Sequence, residues 1–361
     1  TGVLIGDTAM MDTATVPASD NSGNYGTVWT DYDGDGDVDL YVAKCRLGAS
    51  SPADPRRINQ LFRNDGTGNY TEVAAAAGLA HGEQSWVADF ADIDNDGDLD
   101  CFVGNHSAAS NMMRNDGNGT FSDVTTSSGI SVNWSVIQSV FRDFNSDGWI
   151  DLLLVGSQHE LWLNDGDGTF TEASNPFGTS QIESCAVGDL NHDGFPDVYA
   201  GYASLYNSPS TSRPDKMFLS NPNGNGFISV ALRGRTSNGL GCGAKLELHG
   251  PWGIQLREVR SGEGYGISHS HSQRFGTGGV PVADKLVVRW PSGTVDTAFD
   301  VAANQFFLLE EGDTAPPSIT NPGAQGIAGD TSVQLQIAAS DPHNNDLLFT
   351  AMNLPTGLSI D

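Results

Sequence analysis

Aspartate and asparagine residues recur at one fixed spacing in four nine-residue stretches of the 361-residue chain. All four follow the pattern D-x-(D/N)-x-D-G-x-x-D, so side-chain oxygens occupy positions 1, 3, 5 and 9. Calcium takes about six to eight oxygen ligands, and glycine at position 6 permits the sharp turn that gathers these oxygens. Magnesium requires a tighter octahedron and keeps more water, so the spacing favours calcium. These stretches, loops 1 to 4 below, are residues 31–39, 92–100, 143–151 and 189–197.

Each loop is predicted to supply side-chain oxygens from positions 1, 3, 5 and 9 and a backbone carbonyl from position 7. Loops 1 and 2 carry aspartate at all five positions, whereas loops 3 and 4 carry asparagine at position 3 and an aromatic residue at position 7. We expect about four structural calcium ions, one for each loop. The predicted ligand residues are Asp31, Asp33, Asp35, Asp37, Asp39, Asp92, Asp94, Asp96, Asp98, Asp100, Asp143, Asn145, Asp147, Trp149, Asp151, Asp189, Asn191, Asp193, Phe195 and Asp197.

The residues after each loop distinguish these sites from EF-hands. An EF-hand needs glutamate at its twelfth position, which here is Val42, Val103, Leu154 or Ala200. Short runs of apolar and β-branched residues follow position 9, which indicates strands rather than helices. One Asp- and Gly-rich stretch could be only a turn, but four copies with the same ligand spacing favour metal binding.

A second signature follows each loop and its strand. In three copies, apolar residues lead through Asn-Asp-Gly-x-Gly to an aromatic residue, and a degraded copy starts at Phe218. Each copy predicts a β-hairpin. The first residues of successive loops are 61, 51 and 46 residues apart, and four strands in a unit of roughly 50 residues are typical of a propeller blade. The predicted fold class is therefore all-β: a calcium-loop β-propeller with four visible repeats, then a β-rich module and an Ig-like β-sandwich segment.

Together the two signatures resemble the FG-GAP/VCBS family of calcium-loop propellers, which is also found in integrin α chains. The resemblance covers about residues 27–228, and we assign residues 1–228 to this propeller. It implies that the calcium ions stabilise the scaffold rather than take part in catalysis. Propellers of this family usually have more blades than the four repeats visible here, so the way the ring closes is left open.

Residues 229–312 differ from the repeats in composition and charge. The stretch from Arg233 to Arg289 holds eight basic and four acidic residues, although the whole chain has a net charge of −28. We expect this stretch to dock on the acidic repeats or, alternatively, on a polyanion. The run from Arg233 to Lys245 and the Val-Arg-Trp-Pro-Ser-Gly segment at 288–293 resemble the ASPIC/UnbV module of cartilage-acidic-protein-like proteins. That resemblance implies an extracellular β module.

The last segment, residues 313–361, begins with a proline-rich linker. Residues 329–339 then alternate between polar and apolar side chains, as a half-buried strand does. With Asn353–Ile360 they resemble the Ig-like domains of bacterial surface proteins. The segment has roughly half the length of such a sandwich, so we expect that the polypeptide continues beyond Asp361 or that a partner supplies the missing strands.

Composition excludes several classes of function. Sixteen of the 45 acidic residues lie in the loops, and the large negative charge argues against a nucleic-acid partner. No run of about 18 apolar residues occurs, so no transmembrane span is predicted. The cysteines form no C-x-x-C motif, and an acidic, lysine-poor chain suggests an oxidising exterior. This favours one or two disulfides among Cys45, Cys101, Cys185 and Cys242.

Catalytic chemistry has little support in the sequence. The segment from Gly266 to Ser270 lacks the closing glycine of a nucleophile elbow. His269 and His271 could be two metal ligands on one strand face or a solvated loop pair. Most of the seven tryptophans are expected to pack between blades, with Trp149 the most exposed; a sugar-stacking platform is the alternative.

We therefore predict a secreted or cell-surface calcium-binding protein with an adhesive or structural role, alone or as a subunit of an extracellular assembly. Its partner would be an extracellular protein, a glycan or a further copy of the chain. Two alternatives use the same scaffold: a carbohydrate-binding protein, or an enzyme that acts on extracellular polysaccharide.

Overall fold

The computed structural model of the chain describes residues 23–205 and 208–312 and two short strands that pair antiparallel, Ser318–Ile319 and Ala339–Ser340. Strands account for 46% of the structure and helices for 2%, which confirms the all-β prediction. In the described ranges no helix is long and apolar enough to cross a membrane. Apart from the two short strands, the predicted Ig-like segment lies outside the described residues.

Each of the first three repeats forms one four-stranded antiparallel sheet in which strands adjacent in sequence pair with each other. A 3-10 helix, Pro55–Arg57, follows the second strand of the chain, and the only α-helix of the described residues, α1, spans Ala74–Ala77. The strands are β1 (Gly23–Thr30), β2 (Asp39–Cys45), β3 (Gln60–Asn64) and β4 (Tyr70–Glu72) in sheet 1; β5 (Ser85–Ala91), β6 (Asp100–Asn105), β7 (Asn111–Asn115) and β8 (Phe121–Asp123) in sheet 2; β9 (Val136–Arg142), β10 (Asp151–Gly156), β11 (His159–Asn164) and β12 (Phe170–Glu172) in sheet 3.

The fourth repeat is less regular than the first three. Its strand β13 (Ile182–Gly188) pairs with β14 (Asp197–Leu205), which pairs in turn with the short strands β15 (Ser208–Pro209) and β16 (Lys216–Phe218). Strand β16 occupies the third place in this sheet, and among the described residues no strand pairs beyond it. The degraded hairpin signature thus corresponds to a shortened sheet.

The four sheets follow one another as blades of a propeller do. Strand β1 packs against β5, β5 against β9, and β9 against β13. Buried apolar side chains fill the space between neighbouring sheets; the cluster between sheets 2 and 3, for example, includes Phe102, Met112, Leu152 and Trp162. Neither face of a single small sheet is buried by itself, so stacking the sheets creates the core.

Register explains where the calcium-loop pattern sits. Each loop starts directly after the first strand of its sheet, and its ninth residue opens the second strand. The last residue of the first strand pairs with that ninth residue in every sheet: Thr30 with Asp39, Ala91 with Asp100, Arg142 with Asp151, and Gly188 with Asp197. Glycine at position 6 has a φ of 98°, 95°, 99° and 94° in loops 1 to 4, so the predicted need for glycine at the turn is met.

The following segment forms a module of two sheets. One has the strand order β20 (Gln273–Gly278), β17 (Gly226–Arg233), β23 (Gln305–Glu310), and the other has the order β19 (Gly253–Glu258), β18 (Lys245–Gly250), β21 (Val282–Arg289), β22 (Val295–Ala302). Buried residues such as Phe275, Leu246, Val288 and Trp290 form its core. Strand β17 begins at Gly226, three residues before the predicted boundary at 229.

The end of β19 and the connection from β19 to β20 dock this module on the repeats, because together they contact the first strands of all four sheets. Glu258 accepts hydrogen bonds at the end of β1, Arg260 pairs with Asp89 of β5, Glu263 pairs with Arg142 of β9, and the ring of His269 accepts from the Val187 backbone of β13. These contacts confirm that the basic stretch docks within the chain.

Three expectations from the sequence need correction. The expected disulfides are wrong for this structure: all four cysteines are free thiols, and Cys45, Cys101 and Cys185 are buried in strands of separate sheets. His269 is buried against sheet 4, so the expected solvated loop pair is wrong for this residue.

The exposed tryptophan is Trp29, at 51%, rather than Trp149. The indole of Trp149 packs against Gly166 of the following hairpin.

Candidate metal centres

Loop 1 gathers carboxylate oxygens in a partly buried place. One oxygen from each of Asp31, Asp33 and Asp35 lies within 4.8 Å of the others. Asp31 is 3% exposed, and its Oδ1 atom, like Oδ1 of Asp33, is buried without a hydrogen-bond partner. Burial raises the pKa of Asp31 and Asp33, and it raises the pKa of Asp39 to about 8. Buried, unpaired carboxylate oxygens are costly unless a cation satisfies them, so these residues fit a calcium ion.

Loop 2 repeats this arrangement. Oxygens of Asp92, Asp94 and Asp100 lie within 4.8 Å of one another. The Oδ1 atoms of Asp94 and of Asn95, which is 6% exposed, are buried and have no partner. Burial raises the pKa of Asp92 to about 7, burial and then Asp96 raise that of Asp94 to about 6, and burial holds that of Asp100 well above its usual range. Loop 2 therefore fits calcium on the same grounds as loop 1.

In loops 3 and 4, a side-chain amide of the loop itself donates a hydrogen bond to one of the carboxylates. The position-3 amide donates to the position-5 carboxylate at 2.8 Å in both, from Asn145 to Asp147 and from Asn191 to Asp193. Among the described residues, clusters of three acidic groups within 4.8 Å occur in loops 1 and 2 alone. Burial still raises the pKa of Asp143 in loop 3 to about 7. These loops keep the predicted ligand residues but with fewer carboxylates.

The first aspartate anchors the turn in each loop. In loops 1, 3 and 4 its Oδ2 atom accepts the position-6 glycine N–H, at 2.9 to 3.1 Å. In loops 2, 3 and 4 its Oδ1 atom accepts the position-5 N–H at 3.2 Å. The position-7 N–H donates to the position-5 carboxylate in all four loops, at 2.9 to 3.0 Å. These hydrogen bonds hold the ligand residues in one arrangement.

Position 9 has a second role that spacing alone does not reveal. Its carboxylate accepts the position-2 N–H with one oxygen and an N–H of the following hairpin with the other. The hairpin donors are the backbone nitrogens of Asn64, Asn115, Asn164 and Ser220. Each ionised oxygen can accept more than one bond, so this role is compatible with metal binding. Position 9 thereby joins each loop to its own hairpin.

In sheets 2 and 3, the hairpin asparagine also joins its sheet to the sheet before it. The Asn115 amide donates to the carbonyls of Leu99 and of Tyr32, a residue of loop 1. The Asn164 amide donates likewise to Ile150 and to Ile93 of loop 2, at 3.1 and 2.7 Å. The sequence signal is the asparagine that opens the hairpin turn in three repeats, because the same residue marks the turn and makes the link.

The fourth repeat replaces this asparagine with serine. Ser220 reaches only the carbonyl of Pro196 in its own loop. Instead, the side-chain amides of Asn223 and Asn225 donate to the Asn145 carbonyl of loop 3, at 2.7 and 3.0 Å. Loop 3 is therefore joined to the fourth repeat by a different set of residues.

Comparison with protein families agrees with these repeats. The FG-GAP-like repeat profile matches residues 31–103, 93–154 and 143–200, which include all four loops. The ASPIC and UnbV profile matches residues 234–316. The chain carries FG-GAP-like repeats and an ASPIC/UnbV domain. The resemblances to FG-GAP repeats and to the ASPIC/UnbV module are thereby confirmed, and neither family is an enzyme family.

Two curated relatives resemble this combination. Cartilage acidic protein 1 of Xenopus tropicalis is 24% identical over 260 residues, which cover 66% of this chain and 39% of the relative. Cartilage acidic protein 1 of Homo sapiens is 27% identical over 258 residues, covering 65% of this chain and 37% of the relative. The chain thus spans less than two fifths of the length of either relative.

Solved structures with some likeness include the V. cholerae biofilm matrix protein Bap1, with a TM-score of 0.27 and 12% identity, covering 77% of this chain and 60% of that chain. BBS1N, solved in complex with ARL6DN, has a TM-score of 0.25 and 11% identity, covering 79% and 94%. TM-scores this low support no argument about fold or function.

Proposed function

We propose that this chain is a calcium-stabilised, non-enzymatic protein of the extracellular space, with an adhesive or structural role. The observation that carries the proposal is the set of buried carboxylate oxygens without partners in loops 1 and 2, Asp31 Oδ1 above all. The relatives named cartilage acidic protein 1 favour an extracellular setting, where calcium is available to sites of this kind.

Calcium would be structural rather than catalytic. Each loop lies between the first two strands of a sheet, and its ninth residue also joins the following hairpin, so the site belongs to the scaffold. Clustered acidic residues repel one another in the metal-free chain, and an ion that binds the folded form alone adds its binding free energy to folding. Residues at positions 1, 3, 5, 7 and 9 of each loop would hold the ion.

Calcium content and thermal stability test this proposal together. Metal-stripped protein is titrated with calcium by calorimetry, and the bound metal is counted by elemental analysis after dialysis. We expect about four ions per chain and a melting temperature that rises with calcium concentration. Protein that retains no calcium and melts identically in excess EGTA would overturn the proposal.

A pair of variants locates the effect. Asp33→Ala removes a loop 1 ligand and should abolish one calcium equivalent and lower the calcium-dependent rise in melting temperature. Glu172→Ala removes an exposed carboxylate from β12, outside the loops, and should change neither quantity. Equal effects of the two variants would indicate general charge repulsion instead of a site.

The adhesive role requires its own measurement. The calcium-loaded chain is applied to extracellular matrix proteins and to a glycan array, with an EGTA-treated sample in parallel, and its mass in solution is measured by light scattering. Calcium-dependent binding to a matrix protein, or calcium-dependent self-association, would support adhesion or assembly. Binding confined to glycans would favour the carbohydrate-binding alternative.

A further inference from the structure

The first aspartate of loop 1 faces the ASPIC/UnbV module. Its Oδ2 atom lies 2.6 Å from Nζ of Lys245, with the two side chains 4% and 14% exposed. Oδ1 of the same carboxylate is buried and has no partner. One oxygen of Asp31 is therefore held by the module, while the other is free for an ion within the loop.

The same contact recurs in two more loops, with different donors. In loop 4, Nη1 of Arg274 lies 3.0 Å from Oδ2 of Asp189, and both side chains are less than 10% exposed. In loop 2, the Leu256 backbone N–H donates to Oδ2 of Asp92 at 3.1 Å. In all three loops the module contacts the same oxygen of the same loop position.

Loop 3 meets the module differently. Gly276 packs so closely on Asp143 that a Cβ atom there would collide with its Oδ2 atom. The module thus approaches the first aspartate of loop 3 as well, but without a hydrogen-bond donor to that oxygen.

Three module strands, β18, β19 and β20, deliver these contacts. The module also fixes the start of loop 1 through Glu258, whose carboxylate accepts the Asp31 N–H at 3.1 Å and the Thr30 hydroxyl at 2.7 Å. The buried guanidinium of Arg260 holds Glu258 in turn, at 2.9 Å. The contact between Lys245 and loop 1 therefore lies beside a buried network of module side chains.

Charge is compatible with a calcium ion beside these side chains. Loop 1 has five carboxylates, so it stays net negative with both Lys245 and a divalent ion present. Loop 4 has three carboxylates, which Arg274 and one calcium ion together would neutralise. A cation that binds the outer oxygen of a ligand carboxylate orients it without making the site positive.

We propose that the ASPIC/UnbV module completes the calcium sites of the repeats, with Lys245 and Arg274 as positioning residues that orient the first aspartate of loops 1 and 4. This inference rests on the proposed calcium binding. Partners that orient ligand groups typically change metal affinity by about 10- to 100-fold when removed. Calcium affinity in the repeats should therefore depend on residues of a separate module.

The test uses the full chain with Lys245→Met and Arg274→Met. Each variant should weaken calcium binding at one site by about 10- to 100-fold in a calorimetric titration, with the same number of ions bound at saturation. The matched controls are Lys285→Met, in β21, and Arg289→Met, which removes an ion pair with Glu247 inside the module. Both controls should bind calcium as the parent chain does.

Two readouts distinguish positioning from a merely structural role. Lys245→Arg keeps a cationic donor and should restore most of the affinity. A structural role would lower the melting temperature equally with and without calcium, whereas positioning should reduce the rise that calcium produces.

The outcomes separate this inference from the proposed function. If the parent chain binds no calcium, the proposed function fails and the inference with it. If the parent chain binds calcium and both methionine variants bind it with unchanged affinity, the inference is overturned while the proposed function stands.

Discussion

Loops 1 and 2 have the same backbone turn as loops 3 and 4 but differ from them in the number of carboxylates and in the hydrogen bonds that these make. The first pair carries five aspartates in each loop, and the second pair carries three, with asparagine at position 3. In the second pair that asparagine donates to the position-5 carboxylate, whereas the first pair leaves buried oxygens such as Asp31 Oδ1 and Asp94 Oδ1 without a partner. The comparison teaches that the carboxylates of one turn can be satisfied in part by its own side chains, as in loops 3 and 4, or left without partners, as in loops 1 and 2.

Repulsion between carboxylates links this difference between the loop pairs to calcium affinity and to metal-free stability. Two like charges at 4 Å interact by about 4 kcal/mol where the effective dielectric constant is roughly 20. Loops 1 and 2 have more such pairs, so their metal-free forms are under greater strain and should gain more from calcium. Loops 3 and 4 should bind calcium more weakly but fold more readily without it.

Removal of calcium should have the largest effect. Ligands at about 100 times their dissociation constant add about 2.7 kcal/mol per site, and each kcal/mol shifts the melting temperature of a large domain by about 2–4 °C. We expect excess EGTA to lower the melting temperature by more than about 10 °C. Differential scanning calorimetry with and without EGTA measures this.

A calcium titration of the metal-stripped chain tests the division into pairs. Calcium binding at loops 1 and 2 should raise the melting temperature at a lower calcium concentration than binding at loops 3 and 4. A single class of four equal sites would contradict the division, even if the total shift is as large as expected.

The next largest effect should come from the asparagine that joins neighbouring sheets. Asn164→Ala removes donors to two carbonyls, and Asn164 itself is 3% exposed. Loss of two buried hydrogen bonds costs about 2–4 kcal/mol, or roughly 5–10 °C in melting temperature. Thermal unfolding of the calcium-loaded variant measures it.

The matched control is Ser220→Ala in the fourth repeat, where the side chain contacts only its own loop. This change should cost about 1 kcal/mol or less. An equally small effect for Asn164→Ala would show that the link between sheets contributes little.

The sequence was sufficient to predict the loops, the hairpins and the two β modules, because each depends on local chemistry: ligand spacing, glycine at a positive φ, and alternating strands. It did not reveal the links between sheets. The bonds from Asn115 to Tyr32 and from Asn164 to Ile93 join residues 83 and 71 positions apart, and such pairings have no local signature.

Docking of the basic stretch on the repeats could also be predicted from the sequence only in part. Its charge predicted docking on the acidic repeats, but the particular pairs, such as Lys245 with Asp31 and Arg274 with Asp189, depend on how β18 and β20 lie against the loops. The disulfide prediction was wrong for a related reason. Cysteine count and surface charge indicate a compartment, whereas a disulfide needs two cysteines close in space, and three of the four lie in strands of separate sheets.

A smaller effect is expected when the position-3 residue of one pair of loops is replaced by that of the other pair. Each replacement should change calcium affinity and metal-free stability in opposite directions. Asn145→Asp adds a carboxylate to loop 3, so calcium binding there should tighten by about 10-fold, equivalent to about 1.4 kcal/mol, while the metal-free chain loses stability. Asp94→Asn makes loop 2 resemble loop 3 and should do the reverse. Calorimetric titration and metal-free melting measure the two quantities.

The two variants serve as each other's control, because both change one charge at the same loop position. The comparison between the pairs would be wrong if both variants shifted calcium affinity in the same direction.

The last expected effect is the pH dependence of the metal-free chain. Burial raises the pKa of Asp39 to about 8, of Asp92 and Asp143 to about 7, and of Asp94 to about 6, whereas an aspartate in an unfolded chain has a pKa of about 3.9. A raised pKa contributes stability at low pH that is lost as the pH rises through the folded-state value. The metal-free melting temperature should therefore fall as the pH rises from about 5.5 to 8.

Saturating calcium should reverse this slope, because protons and calcium then compete for the same oxygens. The melts are recorded in metal-stripped buffers, since EGTA binds calcium weakly in acid. General repulsion within the acidic chain would give a slope that calcium reduces but does not invert, so inversion is the decisive sign. Asp94→Asn removes one of the titrating groups of loop 2 and should flatten the metal-free slope, whereas Glu172→Ala, at an exposed position, should leave it unchanged.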